Sequence, residues 1–176
     1  MIILVCGYPG VGKTTLANEL GSFINARVLS TDKIRKEIIE MPNYSEEEKQ
    51  LIYDIIILIA KYLHNAGINC ILDATFNTQQ SREDIKKRLN LRKDQFIIIE
   101  CVCPEELIIS RLKSRTKGYS DADEFIYRKI KEKYEPVQEN HITVDTSQSL
   151  KNIVTEIINK IKNEYWTSKY YQSLKK

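Results

Sequence analysis

The segment GYPGVGKTT, residues 7–15, spaces glycines, a lysine and two hydroxyl side chains as a cradle for phosphates requires. Glycine-rich backbone can come close to phosphate oxygens and aim successive N–H groups at them, and a helix that follows presents its positive end to the same anion. Gly7, Gly10, Val11 and Gly12 would supply that backbone. Lys13 would reach the β- and γ-phosphates and assist their transfer, Thr14 would place its hydroxyl on Mg²⁺, and Thr15 would donate to the α-phosphate. The ligands expected from these residues are ATP and Mg²⁺.

Carboxylates at the ends of apolar runs come next, because ligands of open α/β sheets bind beyond the carboxyl ends of the strands. Asp73 closes INCILD and is expected to hold Mg²⁺ together with Thr14. Its neighbour is Ala74, where ATPases that hydrolyse often place a carboxylate to activate water. Asp32 follows RVLS within LSTDKIRKEI. It has two readings: a base for an acceptor hydroxyl, or the N-cap of a helix opening at Lys33. Arg35, one turn on, either holds an anionic group of an acceptor or is a solvated helix charge. In SRLKSR, Arg111 and Arg115 fall at i and i+4 on one helix stripe, ahead of TKGYSDADE. Such a pair suits a lid that brings cations to a transferred phosphoryl group, with a solvated charged stripe as the plain alternative. Ser120 and Asp123 read as a capping box for the next helix.

The elements that must position these groups follow from periodicity. Short β-branched runs at 2–6, 27–30, 68–73, 96–102 and 141–145 are apolar on both faces, as strands of a covered parallel sheet are. Helical patterns fit 13–25, 33–40, 45–66, 78–91, 105–117, 121–134 and 150–163. The longest opens on SEEE, a capping box, and stops at Gly67. Alternation of strand and helix predicts an α/β fold with right-handed crossovers.

A chain of 176 residues falls within the range of one domain, and a net charge of +3 is too modest for a nucleic-acid footprint. The longest apolar run, IIILIA at 55–60, is far too short to span a bilayer, so no membrane partner is expected. The amino-terminal residues read as a strand and not as an export signal, which makes a cytoplasmic location the expectation. The four cysteines, Cys6, Cys70, Cys101 and Cys103, fall in the strand segments without metal-knuckle spacing and read as inert thiols.

Together GYPGVGKTT, STDKIRKEI, ILDATFNTQQSRED, SRLKSR and YSDADEFIYRKIKEKYEP resemble the polynucleotide-kinase-like, zeta-toxin-like branch of P-loop kinases. That branch includes polynucleotide 5′-hydroxyl kinases, chloramphenicol phosphotransferase and the kinase domain of archaeal seryl-tRNA kinases. The resemblance covers residues 1–163 and implies a three-layer P-loop NTPase fold, with a five-stranded parallel sheet covered by helices on both faces and a helical lid. It also implies an ATP- and Mg²⁺-dependent transfer to the hydroxyl of a small molecule or of an RNA or DNA end. By similarity Asp32 is the base, Arg35 and Arg82 are acceptor-side contacts, and Arg115 is the lid cation beside Arg111 on the nucleotide. A nucleoside monophosphate kinase, needing a cluster of acceptor-side arginines, and an ATPase or switch module are the alternatives. No obligate protein partner is inferred. Residues 164–176 form an aromatic, basic tail, EYWTSKYYQSLKK, which either stacks on bases or packs on the domain as a last helical turn.

Overall fold

The computed structural model describes residues 1–116 and 118–164, so the aromatic tail lies outside the described residues. Five parallel strands, β1 (Ile2–Cys6), β2 (Arg27–Ser30), β3 (Cys70–Asp73), β4 (Phe96–Val102) and β5 (Ile142–Asp145), stand in the order β2-β3-β1-β4-β5. The helices are α1 (Lys13–Phe23), α2 (Thr31–Ile38), α3 (Glu46–Asn65), α4 (Gln79–Arg88), α5 (Glu105–Ser114), α6 (Glu124–Lys131) and α7 (Leu150–Glu164). Among the described residues no helix is long and apolar enough to cross a membrane.

Strand alternation explains the layers. Ile3 and Val5 of β1 pack with Ile71, Ile97 and Ile99 against Leu16 and Leu20 of α1 and Ile153 and Ile157 of α7. Ile2, Leu4 and Cys6 point the other way, joining Leu72 and Ile98 against Ile52, Ile56 and Ala60 of α3 and Ile85 of α4. Both faces of the central strand are therefore dry, which is why its sequence is apolar without alternation. Burying each such side chain contributes about 1.5–3 kcal/mol, and the covered sheet holds its carboxyl edge as a rigid platform.

Several ends differ from the sequence expectation. α2 begins at Thr31 with Ser30 as its N-cap, so Asp32 is a first-turn residue and not the cap. Ser45 does cap α3, accepting from the Glu48 N–H at 3.2 Å, but Glu48 turns its carboxylate to the Asn43 N–H and the reciprocal half of the capping box is missing. Asp123 alone caps α6, through the Ile126 N–H at 2.9 Å. Cys103 lies past β4, half-buried near Arg111, whereas Cys6, Cys70 and Cys101 are buried in strands. Burial pushes Cys6 up to about 12 and Cys70 up to about 11, which keeps both thiols protonated.

The largest departure is Arg82. Its side chain is fully buried beneath the loop after β3. One Nη donates to the Phe76 carbonyl at 2.8 Å, and the other reaches the carbonyls of Glu135 and Pro136 at 3.2 and 3.1 Å. These bonds staple the DATF segment, where Phe76 is held at φ 43°, to the chain beyond α6. With both Nη groups on main-chain carbonyls and Nε 3.8 Å from the Glu139 carboxylate, Arg82 holds the wall of the cleft and does not project into it, which corrects the expectation of an acceptor contact. Arg82→Ala empties a fully buried site, leaves the buried Phe76 carbonyl unpaired and removes the cation 3.8 Å from the Glu139 carboxylate, and is expected to lower stability by about 3 kcal/mol or more in urea unfolding, with Arg82→Lys recovering only part.

Candidate active site

The phosphate loop leaves β1 and enters α1 through backbone that few residues tolerate. Gly12 stands at φ 100°, in the left-handed region, as the residue before the helix. Gly7, at φ 133°, passes so close to β4 that an added Cβ would sit 2.5 Å from the Cys101 carbonyl oxygen. Val11 turns its side chain into the core and offers only main chain to the loop. No side chain caps α1, and its first turn carries no acidic residue. The leading N–H groups of that helix thus face outward without a protein acceptor of the usual kind, which is the condition for receiving an anion.

Lys13 folds back, its Nζ donating to the Tyr8 carbonyl at 2.8 Å. Burial pulls its ammonium below the ordinary lysine value, opposed chiefly by the Asp73 carboxylate. Asp73 ends β3 directly opposite Ser30, the last residue of β2, and accepts from the Thr14 hydroxyl at 2.7 Å. Burial pushes the Asp73 carboxyl above the usual range, while Lys13 and hydrogen bonds from Thr14 and Ser30 pull it down. A hydroxyl and a carboxylate set side by side are hard oxygen donors, the pair that magnesium takes alongside substrate phosphates. The Ala74 that follows is buried.

Asp32 opens onto the same cleft, which encloses about 920 Å³ and is also lined by Lys13, Thr14, Asp73, Tyr53 and Arg115. Its carboxylate lies 3.3 Å from Nη1 of Arg35. Arg35 is buried, its Nε 2.8 Å from the Glu48 carboxylate of α3, so it is neither a solvated charge nor an unengaged anion binder. Arg88, on the outer wall, is tied to Asp54 at 2.6 Å.

The two arginines of α5 diverge in role. Arg111 spends its guanidinium on the loop, donating to the Val11 carbonyl at 3.1 Å, the Thr146 hydroxyl at 3.1 Å and the Thr146 carbonyl at 2.8 Å. A second, smaller groove of about 470 Å³ runs beside it, lined by Gly12, Thr15, Thr146, Gln148 and Arg115. Arg115 caps the end of α5 between the two spaces and, among the described residues, is held by one long bond of 3.4 Å to the Ser120 carbonyl. Lys13, Thr14, Asp32, Asp73, Arg35 and Arg115 are thus brought to one cleft, and Arg111 and Thr15 to its side groove. Sequence reasoning missed Thr146, which stands just past the carboxyl end of β5 and could have been found by the strand-end rule. It also read Glu48 only as a cap.

Residues 2–137 match the family described as AAA domain. The chain belongs to that family. This AAA domain is 26% identical over 133 residues to an uncharacterised protein of Mycobacterium tuberculosis, covering 69% of the chain and 27% of that relative, so it spans about a quarter of the relative's length. It is 25% identical over 162 residues to a probable adenylyl-sulfate kinase of Archaeoglobus fulgidus, covering 84% of the chain and 97% of the relative. A shikimate kinase of Bacillus cereus is 26% identical over 170 residues, with 90% and 97% covered. A solved gluconokinase from Sinorhizobium meliloti superimposes with a TM-score of 0.70 at 16% identity, over 97% of this chain and 96% of its own. The Mycobacterium tuberculosis APS kinase in complex with AMPPNP and APS gives 0.68 at 14% identity, over 92% and 96%. At such identities the structural likeness speaks for the fold alone, and with the sheet described above the AAA domain has the α/β P-loop NTPase fold.

A carboxyl whose folded-state pKa is raised above its unfolded value near 3.9 stabilises fully below that value and loses this contribution as pH rises through the folded pKa. Asp73 is such a group, so its charge opposes folding when no cation is bound. Asp73→Asn is expected to hold or raise the Tm of the nucleotide-free protein at about pH 8 and to shrink the Tm gain given by Mg²⁺ and ATP. Thermal melts of both proteins with and without nucleotide check this; a lower nucleotide-free Tm would count against it.

Proposed function

We propose that this P-loop phosphotransferase moves the γ-phosphoryl group of ATP to a hydroxyl, on a small molecule or a nucleic-acid end, with Asp32 as the base. The observation that carries the reading is the state of the arginines around the acceptor side. A phosphate acceptor needs guanidiniums to receive it, yet Arg35 is engaged by Asp32 and Glu48, Arg82 by carbonyls, and Arg88 by Asp54. Beside the phosphate loop the cleft offers the partly exposed carboxylate of Asp32, and, Lys13 and Arg115 aside, its remaining cations are the ammoniums of Lys49, Lys129 and Lys133, which lack the bidentate fork that a guanidinium gives a phosphate. The carboxylate suits an incoming alcohol and not a second phosphate, which favours a hydroxyl acceptor over a nucleoside monophosphate.

In the step itself the acceptor oxygen bonds to the γ-phosphorus, the bond to the β,γ-bridging oxygen breaks, and the alcohol proton passes to Asp32 as ADP departs. The α1 amides and Lys13 hold the phosphates, with Lys13 leaving the Tyr8 carbonyl to do so. Thr14 and Asp73 would hold magnesium, which supplies charge neutralisation on the phosphates when bound. Arg115 swings from its single carbonyl bond to the transferring group. Arg111 fixes the side groove, where the nucleoside would lie. The names of the sequence relatives, adenylyl-sulfate kinase and shikimate kinase, support a small-molecule kinase, while the motif set supports the polynucleotide-kinase-like branch.

The test is transfer of labelled phosphate from ATP to a panel of small alcohols, RNA and DNA 5′ ends, tRNA and nucleoside monophosphates. Labelling of a hydroxyl compound is expected, and labelling of monophosphates alone would overturn the reading. Against the accepted substrate, Asp32→Asn is expected to lower kcat by about 10²–10⁴ with ATP affinity retained. Lys13→Ala should damage both.

A further inference from the structure

Tyr44 stands where the acceptor side of the cleft meets the loop that follows α5. Its backbone is left-handed at φ 57°, a conformation costing about 1–2 kcal/mol in a residue with a bulky side chain. Strain of this kind persists where surrounding contacts over-determine it. Two such contacts are present. The ring lies 4.8 Å from the Arg35 guanidinium carbon, and the hydroxyl donates to the Asp121 carboxylate. Asp121 also takes Lys36 of α2 at 2.5 Å, while Lys33 of the same helix stands 5.9 Å from the centre of the Tyr119 ring.

The consequence for Asp32 follows from magnitudes. An Asp–Arg pair at i,i+3 on a solvated helix is worth only a few tenths of a kcal/mol, too little to hold a carboxylate in one orientation. Arg35 is instead dried by burial, anchored at its far edge by Glu48 and covered by the Tyr44 ring, and electrostatic bonds strengthen as water leaves. We propose that Tyr44 is a positioning residue: its ring clamps the guanidinium that orients Asp32, and its hydroxyl bond to Asp121 ties that clamp to the loop running on from Arg115. Base and lid cation are then set by one closure. The catalytic meaning rests on the hydroxyl-transfer reading above, whereas the mechanical coupling does not.

The test uses the full chain and hydrogen exchange read by mass spectrometry. Tyr44→Phe keeps the ring and loses the Asp121 bond, so it is expected to speed exchange of the Ile126 and Tyr127 amides, which Asp123 holds just beyond that anchor, by about tenfold, the effect of one lost charge-assisted bond, and to leave 31–35 protected. Asp121→Ala, which removes that acceptor and also releases Lys36, should act at least as strongly, and the double variant should exchange no faster than the faster single. Tyr44→Leu, which also removes the ring, should expose 31–35 as well. Additive effects of the first two variants, or unchanged protection of 31–35 in Tyr44→Leu, would overturn the proposal. With an acceptor identified, Tyr44→Phe should lower kcat while the acceptor KM holds; a change confined to KM would equally overturn it. If the panel yields no acceptor and the exchange pattern still appears, hydroxyl transfer fails and the coupling stands.

Discussion

The opening turn of α1 is a set of main-chain donors that no side chain caps among the described residues, and its own first turn carries no acidic residue, the Asp73 carboxylate beside it being taken by the Thr14 hydroxyl. Beside it the Lys13 ammonium donates to a carbonyl and is desolvated by burial that the Asp73 carboxylate offsets only in part. Both are costs to the nucleotide-free fold, and both are relieved by a multiply charged phosphate chain. The rest of the architecture keeps this arrangement from relaxing. Gly7 presses on β4, Arg111 and Thr146 bind the Val11 carbonyl from the far side, and the flanking helices seal the sheet on each face. A loop that could rearrange would satisfy its own amides and lose its affinity for anions.

Buried charge on the acceptor side obeys a different rule. Arg35 and Glu48 join α2 to α3 by an ion pair that is almost entirely out of water. Desolvation makes such a pair a poor source of stability, since well-packed apolar residues would serve as well or better. What it supplies is geometry, because it fixes the spacing of two adjacent helices that both line one cleft and leaves a guanidinium edge for Asp32. Tyr53, whose hydroxyl is pushed up to about 12 by burial, lies lower in the same wall and stays neutral across the physiological range.

Much of this was legible in the sequence because it depends on local pattern. Strands 2–6, 27–30 and 96–102 agree with the observed β1, β2 and β4, since a covered parallel strand must be apolar throughout. The phosphate loop and the positions of Asp32 and Asp73 at strand ends follow from spacing alone. The partners of the polar groups were not legible. Whether Arg82 points into a cleft or under a loop depends on the fold of residues 135–139, more than fifty positions away. Glu48 could complete a capping box or cross to Arg35, and the tertiary ion pair won over the local bond. The helix around Asp32 starts a turn's fraction earlier than Thr-Asp chemistry suggests, because Ser30 ends β2 and serves as the cap.

The i,i+4 spacing of Arg111 and Arg115 gains its meaning from their unequal attachment. On the proposed transfer, a lid cation must move, yet it must return to the same place at each turnover. Arg111 satisfies the second need by locking one turn of α5 to the phosphate loop and to the residue after β5. Arg115, one turn on at the end of the helix, meets the first, with a single long bond to a loop carbonyl. Were both held as Arg111 is, no cation could follow the phosphoryl group. Were both held as Arg115 is, the end of α5 would wander and the closed geometry would be lost. The buried alanine after Asp73 fits the same reading, since it leaves Asp73 without a second carboxylate at the next position to activate water. On the proposed transfer, the group that moves toward phosphorus is then the one that Asp32 faces.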